Sequence, residues 1–100
     1  MDLISQYQNQ IRMLCRKHRV SELFVFGSVL GDSFNEESDI DFVVDFSDVS
    51  LEDYADNYFD LKFSLERILK RNVDLLESRA IRNPYLLESI DSTKQLVYEA

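Results

Sequence analysis

"FGSVLGDSFNEESDIDFVVDF", residues 26–46, decides the fold class of this 100-residue chain. It ends an apolar segment on glycine, crosses a polar stretch, and enters a second apolar run that carries Asp39 and Asp41 one residue apart. Alternation in "SDIDFVVDF", 38–46, puts Ile40, Phe42, Val44 and Phe46 on one face and Asp39, Asp41, Val43 and Asp45 on the other. Just upstream, "VSELFVFG", 20–27, is short, β-branched and aromatic, and stopped by glycine. Two strands are therefore expected, the second with a buried face and an acidic face.

Outward from this pair the period changes. From 51 to 70, Leu51, Tyr54, Ala55, Tyr58, Leu61, Leu65, Ile68 and Leu69 follow helical spacing, and Ser50 with Asp53 three residues on suggests a capping box. Phe59 and Phe63 widen that stripe, which favours core packing over a partner surface. "NVDLLE", 72–77, predicts a third strand. Asn83-Pro84 predicts a short helix through about Ser89, and "KQLVYEA", 94–100, a last strand. At the other end, Leu3, Ile4, Tyr7, Ile11, Leu14 and Cys15 form a helical stripe that closes at His18 among Arg16, Lys17 and Arg19. Cys15 reads as a small buried hydrophobe and His18 as a structural or solvated group. The expected order is α-β-(short α)-β-α-β-α-β: an α/β (α+β) fold with a mixed sheet and at least some parallel pairing around the central strand-helix-strand unit.

At 45% hydrophobic and 12% aromatic, the chain can bury one modest core, so 1–100 is expected to form a single domain. A net charge of -8 and a pI near 4.5 argue against direct nucleic-acid binding, which needs clustered cations. A polyanionic substrate would need a metal or a local basic patch. One cysteine excludes an internal disulfide, and the sequence shows neither a signal peptide nor a run apolar enough to span a bilayer. No membrane association and a cytoplasmic location are the expectation.

Asp39 and Asp41 share a face with Cα atoms roughly 6.6 Å apart, two strand rises. Bare carboxylates that close repel each other, and a divalent cation removes the conflict; Mg²⁺ accepts two or three such oxygens together with phosphates and waters. Asp74 interrupts "VDLL" and can join the pair if its strand lies beside 38–46 in the sheet. Gly27-Ser28, at the end of the first strand, can bring backbone and hydroxyl donors to a phosphate. The competing reading of the same residues is a strand-ending glycine and solvated edge aspartates that discourage edge pairing. Asp45 and Asp48 are read as solvated.

Phe26-Gly27-Ser28, eleven residues from Ser28 to Asp39 in "SDID", and Asp74 in "VDLL" together resemble the minimal nucleotidyltransferase (MNT) family of the DNA polymerase β superfamily. The resemblance implies a nucleotidyltransferase fold with Gly27 and Ser28 on the triphosphate of ATP. It also implies Asp39 and Asp41 as ligands of Mg²⁺, and Asp74 as a third carboxylate that helps activate the attacking hydroxyl. Attack at the α-phosphate would expel pyrophosphate. The implied partner is a HEPN-type ribonuclease toxin, joined in a hetero-oligomer and modified with AMP on a tyrosine. The family loop often reads Gly-Ser-x-x-Arg-Gly, whereas Gly31 and Asp32 stand at its last two positions here. Lys62, Arg67, Lys70 and Arg71 read first as solvated helix-face charges and are the alternative sources of positive charge at the phosphate site. That departure motivates a second reading, a binding module of the same fold that inhibits its partner by occlusion.

Overall fold

The computed structural model describes residues 2–27 and 38–100. The N-terminal helical stripe forms two helices, α1 (Asp2–Gln6) and α2 (Gln8–Lys17), separated at Tyr7. Strands β1 (Val20–Phe26) and β2 (Ile40–Phe46) follow, then α3 (Leu51–Leu69), β3 (Val73–Glu77), a 3-10 turn (Ser78–Ala80), α4 (Pro84–Thr93) and β4 (Gln95–Glu99). The short helix expected between the first two strands lies outside the described residues, as do Ser28, Gly31 and Asp32.

The four strands form one mixed sheet in the order β3-β2-β1-β4. β1 runs antiparallel to β2 and to β4, while β2 and β3, joined through α3, are parallel. A strand-helix-strand crossover accounts for the parallel pair, because a helix must carry the chain back along the sheet before the next strand begins.

One face of the sheet is sealed. Leu23 and Val25 of β1, Ile40, Phe42 and Val44 of β2, and Val73 and Leu75 of β3 are buried with Ile11, Cys15, Leu61 and Leu65 of the covering helices. Burial pushes the Cys15 thiol up to about 12, the behaviour of an inert core sulfur. On the opposite face α4 covers only part, with Leu87 and Ile90 over Phe24 and Val43.

Three local expectations needed correction. Ser50 does cap α3, but its hydroxyl bonds the Asp53 side chain at 3.0 Å, and no side chain caps the backbone there. The first turn projects past the core, so Leu51 is 93% exposed despite its place in the stripe. Phe59 and Phe63 also leave the core: they stack on each other at 6.0 Å and remain 49% and 51% exposed. By contrast Asn83 caps α4 as its sequence suggests, accepting from the Tyr85 and Leu86 amides with Pro84 in the first turn, and the helix runs on to Thr93.

Candidate functional site

The acidic face of β2 meets its neighbours in fixed register. Asp41 lies opposite Asp74 of β3 and opposite Phe26 of β1. Residues paired across parallel strands point to the same face, and neighbouring strands lie about 4.8 Å apart, so the two carboxylates stand side by side. Asp39 precedes them by one strand repeat at the exposed approach to β2. The sequence leaves strand order open, and the parallel pairing is what brings Asp74 to Asp41.

Short bonds hold that register at the strand entrances. The Ile40 amide donates to the Asn72 carbonyl at 3.1 Å, and Arg71 donates to the Ser38 carbonyl at 3.3 Å. Glu66 of α3 accepts from the Val73 amide at 2.9 Å, tying the helix end to the start of β3. Tyr58 of α3 donates its hydroxyl to the Leu75 carbonyl, one residue past Asp74. Burial, and then the Asp74 charge, raise the Tyr58 pKa above its ordinary 10.0, which keeps the hydroxyl a donor. Sequence reading placed Tyr58 in the apolar stripe and missed this anchoring bond, which nothing in the local sequence marks. A one-residue slip would move Asp74 to the other face.

Gly27 closes the third side. Its φ is +77°, in the left-handed region, and a Cβ built on it would lie 2.3 Å from Asp41 Oδ2. Glycine is required twice over, for the backbone turn and for the approach of the carboxylate. The glycine-aspartate combination in the opening stretch is thus one packed unit at the end of β1.

Further along the same face the acidic pattern changes meaning. Asp45, expected to be solvated, meets Arg79 of the 3-10 turn at 3.1 Å and is mostly covered. His18, 2% exposed, sits away from the carboxylates with both ring nitrogens on acceptors, the Leu14 carbonyl at 2.7 Å and Asp60 at 2.5 Å. The hydrogen bond from His18 holds the Asp60 carboxyl below its ordinary 3.8. His18 is structural, and the solvated alternative is excluded.

Asp39, Asp41 and Asp74 offer only oxygen donors, the chemistry that Mg²⁺ prefers. Among the described residues no group of three or more His, Cys, Asp or Glu stands arranged to enclose an ion. A site of two carboxylates completed by phosphate and water fits the residues present, with Asp41 held in place against Gly27. Beside Asp39 a groove of about 610 Å³ opens, lined by Ser38, Phe63 and three of the four cations singled out in the sequence, Arg67, Lys70 and Arg71. The fourth, Lys62, lies 5.9 Å over the Phe63 ring. A larger hollow of about 770 Å³ adjoins His18 and Asn57 and includes none of the three aspartates. Among the described residues, no helix is long and apolar enough to cross a membrane.

Residues 9–100 match the family model described as "Polymerase beta, Nucleotidyltransferase". A candidate protein adenylyltransferase of Methanocaldococcus jannaschii is 36% identical over 87 residues, which covers 87% of this chain and 84% of the relative. A solved structure of a candidate minimal nucleotidyltransferase has a TM-score of 0.77 at 29% identity, covering 95% of each chain. A chain from the complex of a tri-AMPylated Shewanella oneidensis HEPN toxin with an MNT antitoxin gives a TM-score of 0.67 at 20% identity, covering 97% of this chain and 73% of that one. This last likeness is one of fold.

Proposed function

This chain belongs to the polymerase beta nucleotidyltransferase family, and from that premise we propose that it transfers AMP from ATP to a hydroxyl of a protein, acting as the antitoxin of a HEPN-type toxin. The observation that carries the reading is the register of Asp41 with Asp74 beside Gly27. It gathers, on the open end of one sheet face, the residue types that such a transfer needs.

Asp39 and Asp41 would hold Mg²⁺, whose chemistry when bound is to neutralise charge on phosphate oxygens. Gly27 leaves its backbone open to a phosphate, and Ser28, outside the described residues, is its expected companion in the triphosphate site. Asp74 accepts the proton of the acceptor hydroxyl as that oxygen bonds to the α-phosphorus. The bond from α-phosphorus to the bridging oxygen breaks, pyrophosphate leaves with that oxygen, and the proton passes from Asp74 to solvent. A protein acceptor fits an acidic chain better than a nucleic-acid strand does, because the net charge of -8 repels phosphate backbones.

Support for the protein target comes from the name of the M. jannaschii relative and from the AMP-modified toxin in the S. oneidensis complex. The test is to incubate the protein with labelled ATP, Mg²⁺ and the HEPN-type protein encoded beside it. Label on the partner, lost in an Asp39→Asn/Asp41→Asn variant, is the expected result; no label, or equal label from the variant, overturns the proposal. Partner inhibition that survives in that variant favours occlusion without transfer, the reading motivated by the missing loop arginine.

A further inference from the structure

Residues 20–61 contain no Lys, Arg or His. That run includes β1, residues 28–39, β2 and the first half of α3, and so includes Gly27, Asp39 and Asp41. A triphosphate brought to these aspartates carries several negative charges into a chain that is itself at -8. The cations that meet it must come from another part of the sequence.

Most of the eleven Lys and Arg side chains are placed elsewhere. Arg79 is paired with Asp45, Lys94 with Asp91 at 3.0 Å, and Arg19 donates to the Asp48 carbonyl at 2.8 Å. Arg12 and Arg16 line a hollow beside β4, across the sheet from β3. Arg67, Lys70 and Arg71 are the cations that share a groove with Asp39. The groove is open to solvent and lined mainly by polar groups, a surface suited to a hydrated phosphate chain.

Resting on the nucleotidyltransferase reading, we propose that this groove at the end of α3, which shares Asp39 with the candidate site, is the subsite for the outer phosphates of the nucleoside triphosphate beyond those at Gly27, with Arg67 and Lys70 as its charged contacts. Arg71, which donates to the Ser38 carbonyl, positions the approach to Asp39. Arg67 gives one bond to Ser64 Oγ at 3.1 Å, and a guanidinium carries five N–H donors, enough to fork a phosphate as well. Of the two acids lining the groove, Asp39 is the expected metal ligand and Glu66 accepts from the Val73 amide.

The backbone supplies an independent sign. Lys70 ends α3 with φ 56°, a left-handed position where glycine or asparagine is the usual choice. Arg19 takes the same strained conformation, but its side chain is used to bind Asp48. Among the described residues no hydrogen bond or ion pair engages the Lys70 ammonium. Lys70 therefore stands at a strained position on the groove with its ammonium exposed and available to a phosphate.

Titration calorimetry of the full chain with inorganic tripolyphosphate, with and without Mg²⁺, tests the subsite without requiring transfer. Arg67→Gln/Lys70→Gln should weaken tripolyphosphate and ATP about tenfold or more, the scale of losing charge-assisted phosphate contacts. AMP should change far less, and Arg12→Gln/Arg16→Gln, equal in charge but remote, should leave tripolyphosphate binding near wild type. Lys70→Gly keeps folding out of the comparison: it should melt no lower than wild type, because glycine relieves the strained φ, yet still lose affinity. Unchanged tripolyphosphate binding in Arg67→Gln/Lys70→Gln, equal weakening by the remote pair, or no binding by the wild type overturns the subsite. AMP transfer that persists alongside any of those results leaves the transferase reading standing. Transfer that is absent while tripolyphosphate binding follows the variants leaves the subsite standing.

Discussion

Asp41 and Asp45 lie on the same strand and the same face, two strand repeats apart, and the fold gives them opposite surroundings. Asp45 lies under α4 and the 3-10 turn, where Arg79 meets it at 3.1 Å. Asp41 lies near the start of the strand, set against a glycine on one side and in register with a second carboxylate on the other. Asp45 thus has a charge partner within the protein, an ion pair of poor hydrogen-bond geometry that leaves its buried Oδ1 without a well-formed hydrogen bond. Asp41 instead shares its register with a second carboxylate, Asp74, on the exposed end of the face. The comparison shows why an acidic strand pattern alone does not mark a site: the covering element decides which acid is structural.

Removing each acid in turn tests this contrast most strongly. Asp41→Asn should lower AMP transfer by about a thousandfold, the scale of removing a preorganised electrostatic contact at a reacting phosphate. Its melting temperature should stay near wild type. Similar transfer rates for Asp41→Asn and wild type would break the contrast. Gly27→Ala comes next. Its Cβ would collide with Asp41 Oδ2 and its φ would be strained, so we expect a stability loss of about 1–3 kcal/mol and transfer about a hundredfold lower. Chemical denaturation and a transfer assay on the same sample check both effects together.

Asp45→Asn should act weakly, and on stability rather than transfer: transfer within about twofold of wild type and a stability loss under about 1 kcal/mol, because its arginine partner is mostly exposed. A large loss of transfer there would show that both ends of the face serve the reaction. The smallest effect is an acid-limb change at Asp60, away from both ends. Its pKa is held below 3.8 by His18, so the contact contributes stability that is fully present above pH 3.8 and is lost as pH falls through the lowered value. Denaturation curves at neutral and acidic pH should show the gap between wild type and Asp60→Asn closing below pH 3.8.

Much of the fold was legible because its signals are local. Alternation gave β2, helical spacing gave α3, and Asn83-Pro84 gave the start of α4, each from interactions within a few residues of chain. The misses share a cause. Leu51, Phe59 and Phe63 fit the α3 stripe, but a stripe fixes a direction around the helix and says nothing of how far the neighbouring elements extend to cover it. The break at Tyr7 between α1 and α2 likewise has no proline or glycine to announce it.

The sequence by itself determined the residue types of the candidate site. Gly27, Asp39 and Asp41 are close in the chain, and a strand's two-residue period places both aspartates on one face whatever the rest of the molecule does. Tertiary structure decided which of the remaining groups join them. Asp74 reaches Asp41 through parallel strand pairing, Asp45 is drawn to Arg79 by the 3-10 turn, and Arg67, Lys70 and Arg71 come to Asp39 where α3 ends. The physical reason is one of range: side-chain direction follows from backbone geometry a few residues long, whereas register and helix docking follow from the packing of the whole core.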